Sequence, residues 1–421
     1  MEQGTILSDA LLRQLIAAGQ VDILVGLPTL DNAVTIRDVV RAVQVVFARE
    51  FFRERTLLVN SDGGSTDGTP DLVRNALASE SETLLVSHPL RTTHRISAPY
   101  HGLPGKRSAL RTIFAAAELT QARVVAVLDP LGPATAPQHV VDLILPVLRE
   151  DVEVLTPSHR RHPRDGVLVT QLARPFVRAV YGATIDEPLA PEFACSGRFA
   201  SHCLAQDVWS REVAQDGIDL WLRTTAVAHG FRVGQVQRPP PGAAPPGPRA
   251  TLREAIQQVT LALFDCLAAH EAFWIGRQGV ERLSVWGSDG GPLPPAPAWD
   301  ASPLAEQARD GIRELQPLLE GLLDPQTLAV LAASAGAPSI EVPDEVWVAA
   351  VYEIVAASHR RPMKAEHLAQ AFVPLYLARA ASFLTQTQSE PAEATGVRLD
   401  ALAYAFERDK SYLVERWTGG R

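Results

Sequence analysis

The sequence predicts an α/β fold followed by an all-helical region, and three observations carry that reading. Short apolar runs at 21–27, 56–60, 83–87, 124–128 and 152–156 alternate with stretches of helical periodicity, the pattern of a parallel sheet covered by helices. One run leads into a glycine-rich turn, Asn60-Ser61-Asp62-Gly63-Gly64-Ser65-Thr66-Asp67-Gly68-Thr69. Asp62 then stands at a strand's carboxyl end, where open parallel sheets bind ligands. Finally, the composition breaks at 238–248 into Arg238-Pro239-Pro240-Pro241-Gly242-Ala243-Ala244-Pro245-Pro246-Gly247-Pro248, which suits neither a helix interior nor a central strand. Beyond it the pattern is helical.

In chain order, Leu7, Leu11, Leu12, Leu15 and Ile16 repeat at helical spacing and give a leading helix over 7–19. The run from Val21 to Leu27 is a buried strand closed by Pro28-Thr29. Ile36, Val39, Val40, Val43 and Val46 make one face of a helix over about 35–47. The strand at 56–60 follows, then its turn, a helix over about 70–79 that Asp67 and Thr69 are placed to cap, and a strand at 83–87. Gly63, Gly64 and Gly68 permit positive φ and close ligand approach. After a loop at 88–104, Gly105-Lys106-Arg107-Ser108 opens a helix reaching Leu119. The strand Val124–Leu128 stops at Asp129-Pro130, and a helix over about 137–149 and a strand at 152–156 come next.

The segment 159–204 reads as turns, a helix around 168–181 and a loop. Gly217–Ala228 reads as helix and Phe231–Val236 as an edge strand. Past the proline-rich stretch, helices are expected near 249–271, 303–323, 325–334, 343–358, 364–386 and 397–413. Ser302 before Pro303 and Asp324 before Pro325 suit the helix starts. The domains expected are therefore a nucleotide-binding domain at 1–237, a linker or loop at 238–248 and a helical domain at 249–421.

Composition narrows the function. With 46% hydrophobic and 21% charged residues among 421, the chain is ordinary for a globular protein and long enough for two cores. A formal net charge of -9 argues against nucleic acid as partner, because phosphate neutralisation needs concentrated Lys and Arg. Cys195, Cys203 and Cys266 are too scattered for a disulfide framework or a zinc site. The start Met1-Glu2-Gln3-Gly4 lacks signal-peptide regions, and no apolar stretch of about 18–20 residues marks a membrane span. A cytoplasmic protein is expected. No G-x-G-x-x-G follows the first strand, which argues against a dinucleotide-dependent dehydrogenase.

Taken together, several motifs resemble the glycosyltransferases of GT-A fold and family-two type. They are closest to the bacterial branch holding the glucosyl-3-phosphoglycerate and mannosylglycerate synthases. The residues that carry this are Val25-Gly26-Leu27-Pro28-Thr29, the 60–69 turn and Pro99-Tyr100-His101-Gly102-Leu103-Pro104-Gly105-Lys106. Arg161-His162-Pro163-Arg164-Asp165-Gly166, Gly217-Ile218-Asp219-Leu220-Trp221-Leu222 and, in the helical part, Phe372-Val373-Pro374-Leu375-Tyr376-Leu377 add to it. The resemblance covers most of 20–236 and implies a Rossmann-like nucleotide-sugar-binding sheet.

It also implies roles. Asp62 accepts from the nucleobase edge, with Gly63 beside it, while Pro28 and Thr29 wall the base. Gly105 and Lys106 bring a helix start and a positive charge to the diphosphate; for Lys106 the alternative is a solvated first-turn lysine. Asp129 falls on the family's metal-binding Asp-x-Asp. Glu192 matches the carboxylate of an acceptor loop. Asp219 matches one facing the acceptor hydroxyl, or else is a surface aspartate at a helix start. His101, Arg161 and His162 are further candidates for phosphate or acceptor contact.

The match departs from its pattern where Mg2+ or Mn2+ is expected. Leu131 replaces the second carboxylate, and an isobutyl group coordinates nothing. The loop at 237–248 has no histidine where the branch has a metal ligand; Arg238 stands near that place and cannot deprotonate to bind metal. Asp129 is the remaining ligand of an incomplete site. Arg107 replaces a glycine, and a guanidinium there either stands in for the cation, since it pairs bidentately with phosphate, or fills the pocket. The activity implied is hexosyl transfer from a UDP- or GDP-sugar to a small polar acceptor of glycerate or phosphoglycerate type. The alternative is a catalytically inactive relative that binds the nucleotide sugar or regulates a partner. A homodimer through the helical domain is also expected.

Overall fold

Apolar runs at successive intervals pair edge to edge because each carries β-branched and leucine side chains on both faces, as a sheet covered on both sides requires. The computed structural model describes residues 7, 9–77, 106–130, 136–209, 217–239, 251–287 and 292–419. It divides into two compact units: Met1–His159 with Ala190–Thr251 and Leu283–Gly291, and Arg160–Leu189 with Leu252–Arg282 and Pro292–Arg421. Where the sequence suggests one boundary at the proline-rich stretch, the units interleave along the chain.

The first unit holds β1 (Ile23–Thr29), β2 (Thr56–Asp62), β3 (Val124–Val127), β4 (Val154–His159), β5 (Phe193–Ser196), β6 (Val233–Arg238) and β7 (Val285–Trp286). They form one seven-stranded sheet in the order β2-β1-β3-β5-β4-β6-β7. The α/β class is as expected, with corrections in detail. The sheet is mixed, because β5 runs antiparallel to both its neighbours. Its four residues lie between Pro191 and Gly197, too short a run for alternation to show, so the loop expected there is in fact a strand followed by a helix. Nor is β6 an edge: β7 pairs with its outer side. The strand expected at 83–87 lies outside the described residues.

Helices α1 (Asp9–Ala18), α2 (Ile36–Arg49), α3 (Thr69–Leu77), α4 (Lys106–Leu119) and α5 (Pro137–Arg149) are followed by α6 (Arg174–Tyr181), α7 (Gly197–Leu204) and α8 (Ile218–Ala228). All but α6 belong to the first unit. Odd residues of β1 (Ile23, Val25, Leu27) share a core with Val39, Val40 and Val43 of α2 and with Leu143 and Ile144 of α5. The even residues face the other way, towards α4. There a Cβ added to Gly26 would lie 2.7 Å from the Cγ2 and Cδ1 of Ile113. The missing side chain is what lets α4, and Lys106 at its start, approach the sheet.

The second unit is helical. A π turn at Val169–Ala173 precedes α6. Then come α9 (Leu252–Ala269), α10 (Glu271–Gly276), α11 (Ser302–Glu314), α12 (Gln316–Leu319), α13 (Pro325–Gly336), α14 (Asp344–Arg360), α15 (Ala365–Gln386), α16 (Ala392–Arg408) and α17 (Lys410–Thr418). Asp324 caps α13 by accepting from the Gln326 N–H at 3.0 Å, as expected of it. The helix expected over 397–413 is two helices that meet at Asp409. The absence of a span-length apolar stretch needs correction too. By length and composition the 22-residue α15 could cross a membrane, but 89% of its most apolar stretch is buried within the folded chain. It is a core helix, on which α11 lies close enough that a Cβ at Gly311 would meet Pro374 Cβ at 2.7 Å.

Gly26→Ala is expected to lower the stability of the sheet unit by about 1–3 kcal/mol, the usual cost of overpacking. Combined with Ile113→Ala, which vacates the space, it should cost less than the two single losses added together. Denaturation curves of the four proteins in this cycle measure the coupling, and strict additivity would refute the close approach of α4.

Candidate functional site

Register places one end of the sheet apart from the other. Thr29 pairs with Asp62, Gly26 with Val127, Val127 with Phe193, and His159 with Arg238. The Leu128 N–H donates to the Gly26 carbonyl at 3.2 Å, which continues the β1–β3 ladder towards Asp129. Because β5 is reversed, its leading residue Glu192 lies at the same edge as the ends of the parallel strands. Thr29, Asp62, Asp129, Glu192 and Arg238 therefore crown the carboxyl edge. β2 lies on one side of β1 and β3 on the other, so the chain changes winding direction there and opens the crevice that ligands use in such sheets.

The loops after β1 and β2 are knitted into a wall. Both Gly64 and Ser65 N–H groups donate to Asp62 Oδ2, at 3.0 and 2.9 Å, while Ser65 Oγ and Thr29 Oγ1 donate to Oδ1, at 2.6 and 3.0 Å. Gly64 takes φ +94°, a conformation that favours glycine. Across the loops, the Thr66 N–H donates to Asp31 Oδ1, the Ala33 N–H to Asp67 Oδ2 and the Asn32 N–H to Thr69 Oγ1, each at 2.8 Å. Asp67 also accepts from the Thr69 N–H at 3.0 Å. The Gly63 N–H reaches the Thr29 carbonyl at 2.7 Å. Pro28, Thr29, Asp62 and Gly63 thus lie together, and the Asp62 carboxylate accepts three hydrogen bonds from its own turn, while the single Thr29 hydroxyl proton is shared between Asp62 Oδ1 and Asn60 Oδ1, 3.0 and 2.9 Å away.

Lys106 and Asp219, expected separately at diphosphate and acceptor, touch each other. Lys106 Nζ lies 2.7 Å from both carboxylate oxygens of Asp219 and 2.9 Å from the Pro191 carbonyl. Both residues are almost fully buried, at 3% and 2% exposure, which corrects the solvated-lysine and surface-aspartate alternatives. One turn along α8, Arg223 donates from Nε to Thr156 Oγ1 (3.2 Å), from Nη1 to the Asp219 carbonyl (3.0 Å) and from Nη2 to the Glu192 carbonyl (2.8 Å). Arg238 Nε donates to Glu192 Oε1 at 3.1 Å. Burial, then the charge of Arg238, pulls the His139 pKa below its ordinary value, and Glu192 opposes this. Arg223 and His139 were missed from the sequence. The signal for Arg223 is its i,i+4 spacing from Asp219 within an otherwise apolar helix, where charges must pair.

Elsewhere on this edge, Thr35 Oγ1 donates to the Pro130 carbonyl, joining the loops after β1 and β3. Arg107 Nη1 donates to the Val208 carbonyl at 3.2 Å. Gly105, His101 and Leu131 lie outside the described residues. A hollow of about 470 Å³ bordered by Glu118, Arg123 and Arg198 is at the opposite edge of the sheet, away from these groups.

In the second unit, Arg161 Nε donates to Glu187 Oε1 at 2.6 Å, and Asp165 lies 3.5 Å from its Nη1. Burial pushes the Glu187 carboxyl up to about 7, against the pull of Arg161. His162 Nδ1 accepts from the Arg164 N–H at 3.1 Å, and burial and Arg164 lower its pKa. Arg161 and His162 are thus engaged by their own loop and by Glu187.

Beside Glu192 and Asp219 the charged neighbours are Arg238, Arg223 and Lys106, a basic surrounding that favours an anion over a divalent cation. Among the described residues no three His, Cys, Asp or Glu side chains are grouped to hold one.

No protein-family model and no curated protein matches the chain. Solved structures of glucosyl-3-phosphoglycerate synthase from Mycobacterium tuberculosis are similar to it. The complex with Mg2+ and uridine-diphosphate is 23% identical, with a TM-score of 0.44 over 62% of this chain and 83% of that one. The complex with Mn2+, uridine-diphosphate-glucose and phosphoglyceric acid is 22% identical, with a TM-score of 0.43 over 63% and 85%.

Two outcomes follow for stability. Lys106→Met and Asp219→Asn each strand a buried partner and should cost about 3–5 kcal/mol, whereas the two combined, which leave Arg223 an amide oxygen in place of the carboxylate, should cost less than their sum; urea titration reads the difference. Glu187 binds its proton more tightly folded than unfolded. Its contribution is therefore most favourable below the unfolded value of 4.5 and is lost as pH rises to about 7. Glu187→Gln should remove that part of the slope of melting temperature against pH, and an unchanged slope would count against it.

Proposed function

We propose that the carboxyl edge of the sheet binds a nucleoside-diphosphate sugar and that the chain is a glycosyltransferase, moving a hexose from it to a small polar acceptor of glycerate or phosphoglycerate type. The observation that carries this reading is the array of charged side chains at the one edge where the winding reverses. Four pieces of the motifs that resemble nucleotide-sugar enzymes, Pro28-Thr29, the turn after β2, Lys106 and Asp219, belong to that same edge. The UDP or GDP identity and the acceptor class come from the resemblance.

In this reading the base lies against Pro28 and Thr29. Asp62 holds the turn in shape, and the backbone of Gly63 and Gly64 comes close to the base. Lys106 serves as a fixed anchor for Asp219 and the start of α4, whose leading amides and positive dipole end face the edge and favour a diphosphate. Transfer breaks the bond between the anomeric carbon and the diphosphate oxygen and forms one to the acceptor oxygen. Negative charge gathers on the departing diphosphate, and the acceptor hydroxyl gives up its proton. Arg107 is a source of positive charge for the first, and Asp129 and Glu192 are the carboxylates at this edge for the second. Preorganised charge of this kind is commonly worth about 100–1,000-fold in rate.

A second reading, binding without turnover, is favoured by one observation: Lys106 and Asp219 are spent on each other. Calorimetry with UDP, GDP and their sugars, with and without Mg2+ or Mn2+, followed by assay of nucleotide release with glycerate and phosphoglycerate, separates the readings. Binding with release of the diphosphate is expected. Binding without release supports the second reading, and no binding of any nucleoside diphosphate overturns both.

A further inference from the structure

One side chain at the carboxyl edge is built unlike its neighbours. Arg238 ends β6 with only 3% of its surface exposed. Its Nε is held by Glu192, yet its two terminal nitrogens are buried and meet no acceptor among the described residues. Arginine carries five N–H donors, four of them on those nitrogens. Arg223, in the same cluster, shows the contrast, since all three of its nitrogens donate, to Thr156, to the Asp219 carbonyl and to the Glu192 carbonyl. Lys106 has likewise spent its donors on Asp219 and Pro191. A buried charge with unmet donors is costly, and such a group is retained where a ligand completes it.

Around this group the carboxylates of Asp219 and Glu192 pair with Lys106, Arg223 and Arg238. With Glu192 fixing the Nε side, the fork of Nη1 and Nη2 is left for a planar or tetrahedral oxyanion, which arginine binds by paired hydrogen bonds. We infer that Arg238 is an oxyanion-binding residue that receives a phosphoryl group of the ligand through its terminal guanidinium nitrogens, supplying without a metal the positive charge that a divalent ion would otherwise bring. That the phosphoryl group belongs to a nucleoside diphosphate rests on the function proposed above; the oxyanion site itself does not.

The test is calorimetry on the full chain in EDTA with four probes, UDP, GDP, inorganic pyrophosphate and uridine, for the unaltered protein, Arg238→Gln, Arg238→Lys and Glu192→Gln. UDP and pyrophosphate are expected to bind the unaltered protein without metal, and added Mg2+ should not tighten them. Arg238→Gln should weaken both by about 10–100-fold, the range of charge-assisted hydrogen bonds, and leave uridine unchanged. Arg238→Lys should fall between, because an ammonium lacks the fork. Glu192→Gln, which keeps the guanidinium, checks the site if Arg238→Gln folds poorly; it should weaken both anions by less.

Because Arg238→Gln also loses the pairing with Glu192, its melting point is no guide to the arginine's role; the loss of both anions with uridine binding unchanged is what a merely structural arginine would not produce. UDP binding at full strength in a folded Arg238→Gln protein overturns the inference and leaves the nucleotide-sugar reading standing. Arg238-dependent binding of pyrophosphate but not of UDP or GDP supports the inference and overturns that reading. Absolute dependence on Mg2+, or failure of both anions to bind, overturns the inference.

Discussion

The contact between Lys106 and Asp219 is the constraint on which the carboxyl edge depends. An ammonium and a carboxylate removed from water are tolerable only when paired closely and with their remaining hydrogen-bonding capacity met. Pro191 takes the third donor of Lys106, and Arg223 closes over Asp219. The start of α4, the approach to β5 and the start of α8 are thereby tied to one point. Gly26 makes the tie possible from below, because only a residue without a side chain lets α4 sit so near β1.

From that point the charge pattern spreads outwards. Arg223 joins α8 to Thr156 of β4 and to the Glu192 carbonyl, and the Glu192 side chain holds Arg238 at the end of β6. The reversed strand β5 is essential to this chain of contacts. Were it parallel, Glu192 would stand at the opposite edge and Arg238 would lose its partner. A mixed sheet thus gathers basic and acidic groups from four strands and two helices where a bound anion would need them.

The other side of the edge follows a different principle. Asp62, Asp67 and Asp31 are used as acceptors for backbone N–H groups, so the loops after β1 and β2 are fixed by short polar side chains rather than by packing. A carboxylate bonded this way shapes the surface around it. This separates the edge into a wall fixed by three carboxylates that bond backbone N–H groups and hydroxyls, and a floor where buried cations and carboxylates pair with one another.

Much of this was legible in the sequence. The apolar runs that became β1 to β4, the helical stripes of α2 and α5, the turn after β2 and the helical character after the proline-rich stretch all follow from local periodicity and turn chemistry, which act over a few residues. Asp62 and Lys106 were legible as polar residues next to a buried strand and at a helix start, and Glu192 only through the family resemblance. What they bond to was not. Lys106 and Asp219 are 113 positions apart, and their meeting depends on the register of strands that neither belongs to. β5 is too short to announce itself, and its direction is set by its neighbours in the sheet. The open fork of Arg238 is visible only once every acceptor around it has been assigned. Local pattern decides which elements form; which charges end up paired, and which is left waiting, is decided by burial and register in the folded sheet.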